Sequence, residues 1–305
     1  MTLHRRPARC IDFAISPRPR RGIPRLAPDR RPSLTTTTTD ELFQATYDRV
    51  AARYDDLWSR HVNTPNDRLT RGLGLRRGER LVDLACGSGA ATLPMTRLIT
   101  PGETVAVDPS EGMLRLAREA AEAEDLELTA VQAKAEDFIA NAPNASFDAV
   151  SMRFALAYLD WASVLPAMGR IVRPGGRVGL LTSLATSAPQ ALTTYRRLAE
   201  SMEMEAVTPP TPKTLGQVED LLTRGGLRID DSWQHGFRLW FGSGAKATRW
   251  LLDTGYIAHP ALEGLEGEVL DGLVDLFGAH LENEYREDDG VPLDFFVAGI
   301  IARRP

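Results

Sequence analysis

The stretch Leu81-Val-Asp-Leu-Ala-Cys-Gly-Ser-Gly89 constrains this chain more than any other. Leu81 to Leu84 are apolar apart from Asp83, which suits a short buried strand, and a run of small residues follows at once. Ala90 to Ile99 then carries helix formers, with Leu93, Met95 and Leu98 at helical spacing. A second apolar run, Val105-Ala-Val, ends in Asp108. Glycines where a strand turns into a helix let the backbone approach a ligand, and an acid closing the next strand can accept hydrogen bonds from ribose hydroxyls. A nucleotide or nucleoside site is therefore expected at this turn.

The pattern around it is regular. Strands at 81–85, 103–107, 126–132, 147–152 and 176–183 alternate with helices at 88–99, 110–122, 136–141 and 160–171. Such alternation implies an α/β fold with a parallel sheet and helices on both faces. Ligands of these sheets sit beyond the carboxyl ends of the strands, which points to Ala85 to Gly89, Asp108, Ala135 to Asp137 and Met152 to Phe154. Beyond Ser183 the spacing predicts helices over 188–204, 215–224, 244–254 and 262–285. It also predicts a long strand over 227–241 with a break at Gly236, and a final strand within 291–303. Upstream, Asp40 opens a helical pattern that runs to about Trp58.

Composition narrows the function classes. The chain has 305 residues and a net charge of −5, yet residues 1–39 hold nine Arg against Asp12 and Asp29, so the rest is acidic. An acidic body disfavours bulk nucleic acid or anionic membrane as a partner. The Arg/Pro-rich leader over 1–39 reads as disordered, with a transit peptide or nucleic-acid arm as the sharper alternatives. Cys10 and Cys86 are the only cysteines, too few for a disulfide framework, which fits the cytoplasm. No stretch is long and apolar enough for a membrane helix, and no tight carboxylate and His cluster suggests a metal.

Five motifs in order carry a resemblance: Asp83-Leu-Ala-Cys-Gly-Ser-Gly89, Asp108-Pro-Ser-Glu-Gly-Met113, Ala135-Glu-Asp137, Phe147-Asp-Ala-Val150 and Arg173-Pro-Gly-Gly176. Together they resemble class I S-adenosylmethionine-dependent methyltransferases, in the small-molecule branch that includes the ubiquinone/menaquinone C-methyltransferases. The similarity runs from about Tyr47 to Ser183. It implies a Rossmann-like, seven-stranded mixed sheet that ends in an antiparallel hairpin, with a helical lid insertion from the second half. The domain would span 40–305, with a cofactor-binding core over about 47–183 and a substrate or lid portion over about 184–290.

The resemblance also implies roles. Tyr54, in Tyr47-Asp-Arg-Val-Ala-Ala-Arg-Tyr-Asp55, would fold over S-adenosylmethionine. Asp83 and the Ala85 carbonyl would draw on its ammonium, unless Asp83 instead steadies the turn. Gly87 and Gly89 would clear space for it, Asp108 would take the ribose hydroxyls unless it caps the next helix, and Met113 would lie against adenine. Lys134 stands where the family has an Asp that reads the adenine amino group. A lysine cannot accept a hydrogen bond, so either Glu136 or Asp137 takes the place of that Asp, or only the backbone at Ala135 and Glu136 reads the adenine. Arg153 would bind an anionic substrate group, hold the methionine end of the cofactor through its backbone, or sit solvated at the surface.

The expected reaction is methyl transfer to an O, N or C nucleophile of a small, apolar or aromatic molecule, quinone-like or a secondary metabolite. His235 is the candidate general base. Trp233, Phe237, Trp240, Phe241, Trp250 and Tyr256 either wall the substrate pocket or pack a core. Two other classes remain open. An NAD-dependent oxidoreductase would want Gly or Ala where the chain has Thr92, and a non-catalytic cofactor-binding protein would act through its leader.

Overall fold

The computed structural model describes residues 57–58, 61–203, 211–257 and 265–305. The expectations for the leader, for the helix over 40–58 and for Tyr54 fall outside the described residues, apart from Leu57 and Trp58. The described residues belong to a unit that runs from Thr36 to Pro305.

Seven strands form one sheet. In chain order they are β1 Arg80–Leu84, β2 Glu103–Asp108, β3 Thr129–Gln132, β4 Phe147–Arg153, β5 Val172–Ser183, β6 Arg228–Phe241 and β7 Val291–Arg303. Their spatial order is β3-β2-β1-β4-β5-β7-β6. The first five pair in parallel, and β7 runs antiparallel between β5 and β6. The mixed sheet and the closing hairpin match the sequence reading. Because β1 lies between β2 and β4, the chain reverses its winding there, and a crevice opens beyond the carboxyl ends of those strands.

The helices are α1 Asn63–Leu73, α2 Thr92–Ile99, α3 Glu111–Ala123, α4 Ala135–Asn141, α5 Trp161–Ile171, α6 Pro189–Ser201, α7 Leu215–Arg224, α8 Gly244–Asp253 and α9 Gly267–Tyr285. Strand alternation divides the core. Val82 and Leu84 bury toward Val164, Leu165 and Met168 of α5, whereas Leu81 buries with Leu69 and Leu73 of α1 and Met95 and Ile99 of α2. Asp83 shares the parity of Leu81 and so lies under α1 and α2.

The differences from the sequence reading have local causes. Helix α1 goes unpredicted because Asn63-Thr-Pro-Asn-Asp-Arg-Leu-Thr-Arg-Gly-Leu73 is polar overall, its apolar face is only Pro65, Leu69 and Leu73, and it contains Pro65 and Gly72, both poor helix formers. Gly72 serves packing, since a Cβ there would meet Ile301 Cγ1 of β7 at 2.8 Å. A buried ion pair then secures the end of α1. Arg177 donates to both Glu79 carboxylate oxygens at 2.9 and 2.6 Å and to the Leu73 carbonyl at 2.8 Å. Helix α2 begins four residues later than the spacing predicts, because residues 88–91 belong to the turn. Strand β6 does not break at Gly236. Its irregularity falls between Ile229 and Asp231, where Asp230 is paired with Arg228 and Arg303.

The second half forms its own core. Trp250 and Leu251 of α8 and Phe277 and Leu281 of α9 bury with Leu293 and Phe295 of β7 and with Trp58. Among the described residues no helix is long and apolar enough to cross a membrane.

Candidate active site

A cavity of about 870 Å³ opens at the expected crevice. Its floor is the turn after β1. That turn is held by Asp108, whose Oδ2 accepts the Gly87 N–H at 2.8 Å while Oδ1 accepts the Ser110 N–H at 3.0 Å. Ser110 caps α3 by accepting the Met113 N–H at 3.1 Å, so the helix cap does not occupy Asp108. The Asp108 carboxylate thus organises the loop and lines the cavity together.

Backbone conformation marks the site as well. Ala85 and Phe154, the residues that follow β1 and β4, both adopt left-handed conformations, with φ of 55° and 54°. A non-glycine residue there costs on the order of 1 kcal/mol or more and persists only where its surroundings hold it. Both line the cavity.

Asp83 is buried and committed. Its Oδ2 accepts the Thr92 hydroxyl at 2.6 Å, and its Oδ1 lies 3.3 Å from Arg153 Nη1. Arg153 is also buried, against Met95 Sδ at 3.1 Å and Thr70 Oγ1 at 3.5 Å. Among the described residues its Nε has no hydrogen-bond partner. Burial lowers the basicity of the guanidinium and the Asp83 charge opposes that shift. Arg153 is therefore no solvated surface arginine. Beside them Cys86 lines the floor, and burial, reinforced by the Asp108 and Asp83 carboxylates, pushes its thiol well above the ordinary range. It stays protonated at neutral pH and is a poor nucleophile.

Of the residues singled out from sequence, Asp83, Ala85, Gly87, Asp108, Met113, Ala135, Glu136 and Arg153 come together around this cavity. Gly87 has φ of 57° and open space where a Cβ would stand. Gly89 differs: it does not line the cavity, and a Cβ there would sit 3.1 Å from Ala117 Cβ. Its role is the close approach of the turn to α3. Glu136 lines the mouth, where its Oε1 accepts the Asp160 N–H at 3.2 Å. Tyr54 lies outside the described residues.

His235 lies on β6 and is not among the residues that line the cavity; its ring stacks on Phe237 at 6.2 Å. Of the two roles open to the aromatic group beyond residue 230, pocket wall or core, the structure favours the core. None of its six members lines the cavity, and Phe237, Phe241, Trp250 and Tyr256 pack around the second core. Strand alternation puts Phe237 and Phe241 on one face of β6, and Trp250 of α8 and Tyr256 after it pack against the same core. Trp58 joins the second core to the cavity, its ring packing against Trp250, Tyr256 and Phe295 at 5.8, 6.2 and 5.6 Å.

Sequence reasoning missed the opposite wall. Trp58, Val62 and Asn66 line it, facing Phe154, which meets Trp58 edge-on at 5.7 Å. The turn of helix between Val62 and Asn66 is the only local signal for this wall. Thr92 was missed as well, and its hydroxyl is what fixes Asp83. Among the described residues no group of three or more His, Cys, Asp or Glu is arranged to hold a metal ion.

Comparison with known proteins places these features in context. A methyltransferase-domain family profile matches residues 81–176. The chain is 37% identical over 140 residues to the ubiquinone/menaquinone biosynthesis C-methyltransferase UbiE of Yersinia enterocolitica, an alignment that spans 43% of this chain and 55% of that protein. It is 32% identical over 185 residues to the enzyme of the same name in Yersinia pestis, spanning 51% of this chain and 73% of that one. Among solved structures, the [4+2]-cyclase SpnF superimposes with a TM-score of 0.59 over 88% of this chain and 97% of that chain. At 15% identity this likeness is one of fold alone.

Proposed function

The chain belongs to the class I S-adenosylmethionine-dependent methyltransferases, and on that premise we propose that it methylates an O, N or C nucleophile of a small apolar or aromatic molecule. A quinone-like ring is the nearer reading, because the Yersinia relatives are named as ubiquinone/menaquinone C-methyltransferases. One observation carries the proposal. The carboxylate that ends β2 bonds the glycine turn after β1, and both face one cavity at the winding reversal of the sheet.

The residues present suit the cofactor. Gly87 leaves open space at the cavity floor, Asp108 offers a carboxylate to vicinal hydroxyls, and Met113, Ala135 and Glu136 supply the surface and backbone for a purine. The ammonium falls to the Ala85 carbonyl, since both Asp83 oxygens are engaged by Thr92 and Arg153. The unpartnered Arg153 Nε–H suits a carboxylate, and so the methionine end. When bound, S-adenosylmethionine supplies an electrophilic methyl carbon on sulfonium, and the carbon–sulfur bond breaks as the nucleophile's electron pair bonds that carbon. Trp58, Val62 and Phe154 then have one task, which is to hold the acceptor in line and exclude water.

An oxidoreductase reading has no comparable support, since Thr92 is built into the Asp83 contact. A cytoplasmic location and a small-molecule partner are part of the proposal. Its test is release of S-adenosylhomocysteine across a panel of aromatic and quinol acceptors. A protein that binds the donor yet turns over with none of them would contradict it.

A further inference from the structure

Trp58 belongs to two environments at once. It lines the cavity, yet only 5% of it is exposed, because its indole also packs against Phe237, Trp250, Tyr256 and Phe295 at 6.3, 5.8, 6.2 and 5.6 Å. None of those four rings lines the cavity. Phe154, which does, meets the indole edge-on at 5.7 Å. The two rings thus close on each other and form one wall with Val62. The wall is fixed from behind. Trp250 Nε1 of α8 donates to the Leu57 carbonyl at 3.0 Å, and the Trp58 carbonyl accepts the His61 N–H at 2.9 Å.

The polarity of the lining is divided. Among the described residues, every charged side chain of the lining comes from β1, β2 or β4 or from the segments that follow β3 and β4, and none from the stretch that carries Trp58 and Val62. A ligand portion that reaches this wall meets the indole, Val62 and Phe154, where each methylene it buries is worth about fourfold in affinity. Behind the indole lie close-packed aromatic side chains with no room for a ligand. Removing a large side chain from such packing leaves an apolar hollow, and one of roughly 150 Å³ takes up benzene.

Building on the methyltransferase reading, we propose that Trp58 determines which acceptors fit, by ending the acceptor part of the cavity. Its indole is the partition between that cavity and the second core, and it limits the apolar substituent that an acceptor ring can carry toward it. The site takes compact ring compounds with short apolar substituents and rejects the same rings with long ones. Trp58 acts through its volume and takes no part in the chemical step.

The test uses the full chain saturated with S-adenosylhomocysteine and a series of 4-alkylphenols, from 4-methylphenol to 4-octylphenol, titrated calorimetrically into wild type, Trp58→Ala, Trp58→Phe and Phe237→Ala. In wild type, affinity should rise about fourfold per methylene over the short chains and then level off or fall. Trp58→Ala should move that limit up by about two methylenes or more, and Trp58→Phe, which keeps a ring, by about one. The phenylalanine variant decides the matter if the alanine variant does not fold. Phe237→Ala removes a ring on the far side of the indole and should leave the limit where wild type has it. A wild type with no limit, or one that binds none of the phenols, overturns the proposal. So does a limit that the Trp58 variants leave in place, or one that Phe237→Ala raises as well. Binding of S-adenosylhomocysteine in the same samples reports separately on the cofactor reading and on the integrity of each variant. Its absence from wild type would refute the methyltransferase reading itself, whereas its presence with no length limit overturns the role of Trp58 alone.

Discussion

Asp83 and Arg153 form a buried ion pair in the floor of the cavity, and breaking it should be costly in a particular way. At the 3.3 Å separation seen here, opposite unit charges attract by about 5 kcal/mol at an effective dielectric of about 20. Desolvation of both groups offsets most of that gain, whereas loss of one partner leaves the other charged and unmatched, at about 3–5 kcal/mol. Arg153→Met and Asp83→Asn should each destabilise the protein by that amount. The double variant should lose roughly 2–3 kcal/mol less than the two single losses combined. Urea unfolding followed by tryptophan fluorescence measures this as a shift of the midpoint at constant slope. Single losses below about 1 kcal/mol, or strict additivity, would mean that the charges are not coupled and that Asp83 is free to face the cofactor alone.

The two glycines of the turn should respond differently. Gly87→Ala, which points a methyl group into open space, should cost about 1 kcal/mol of stability for its positive φ and weaken S-adenosylhomocysteine binding roughly tenfold as bulk enters the cavity. Gly89→Ala, 3.1 Å from Ala117 Cβ, should cost about 2–3 kcal/mol with affinity per folded molecule unchanged. His235→Gln should leave turnover within about twofold of wild type, because nothing at a stacked ring on β6 reaches the reacting atoms, and a loss of a hundredfold would restore it as a base. Burial alone would raise the Glu79 carboxyl, but hydrogen bonds from Arg177 and the Arg76 N–H, with both arginine charges, outweigh it and hold the group below its ordinary value. The stability Glu79 contributes is present above about pH 4.3 and is lost as pH falls through the lower folded value. Glu79→Gln should therefore flatten the acid limb of a stability–pH curve, and an unchanged limb would contradict the assignment.

The sheet was legible because its information is local. Strand β1, the glycine turn and Asp108 follow one another within a single βαβ unit, and the later strands repeat the pattern, so period and spacing suffice for order and direction. Ala85, Gly87, Asp108 and Arg153 fall at or just beyond strand ends for the same reason. What escaped depends on contacts distant in sequence. Helix α1 is stabilised by Arg177 and by the fit of Gly72 on β7; the first leaves no mark in residues 63–73, and the second appears there only as a glycine that reads as a helix weakener. Asp83 read as a group available to a ligand because Thr92 and Arg153 meet it only in three dimensions. The aromatics of β6 and α8 look alike whether they wall a pocket or fill a core. Only the covering helices, set against Phe295, decide for the core.

The central claim is that Asp108 and the Gly87 turn form an S-adenosylmethionine site, and calorimetric titration with S-adenosylhomocysteine tests it most directly, with NAD in a parallel cell. Wild type should bind S-adenosylhomocysteine at micromolar concentration and not NAD, and Asp108→Ala should lose that binding. No binding by wild type, or binding that Asp108→Ala leaves intact, would contradict the claim.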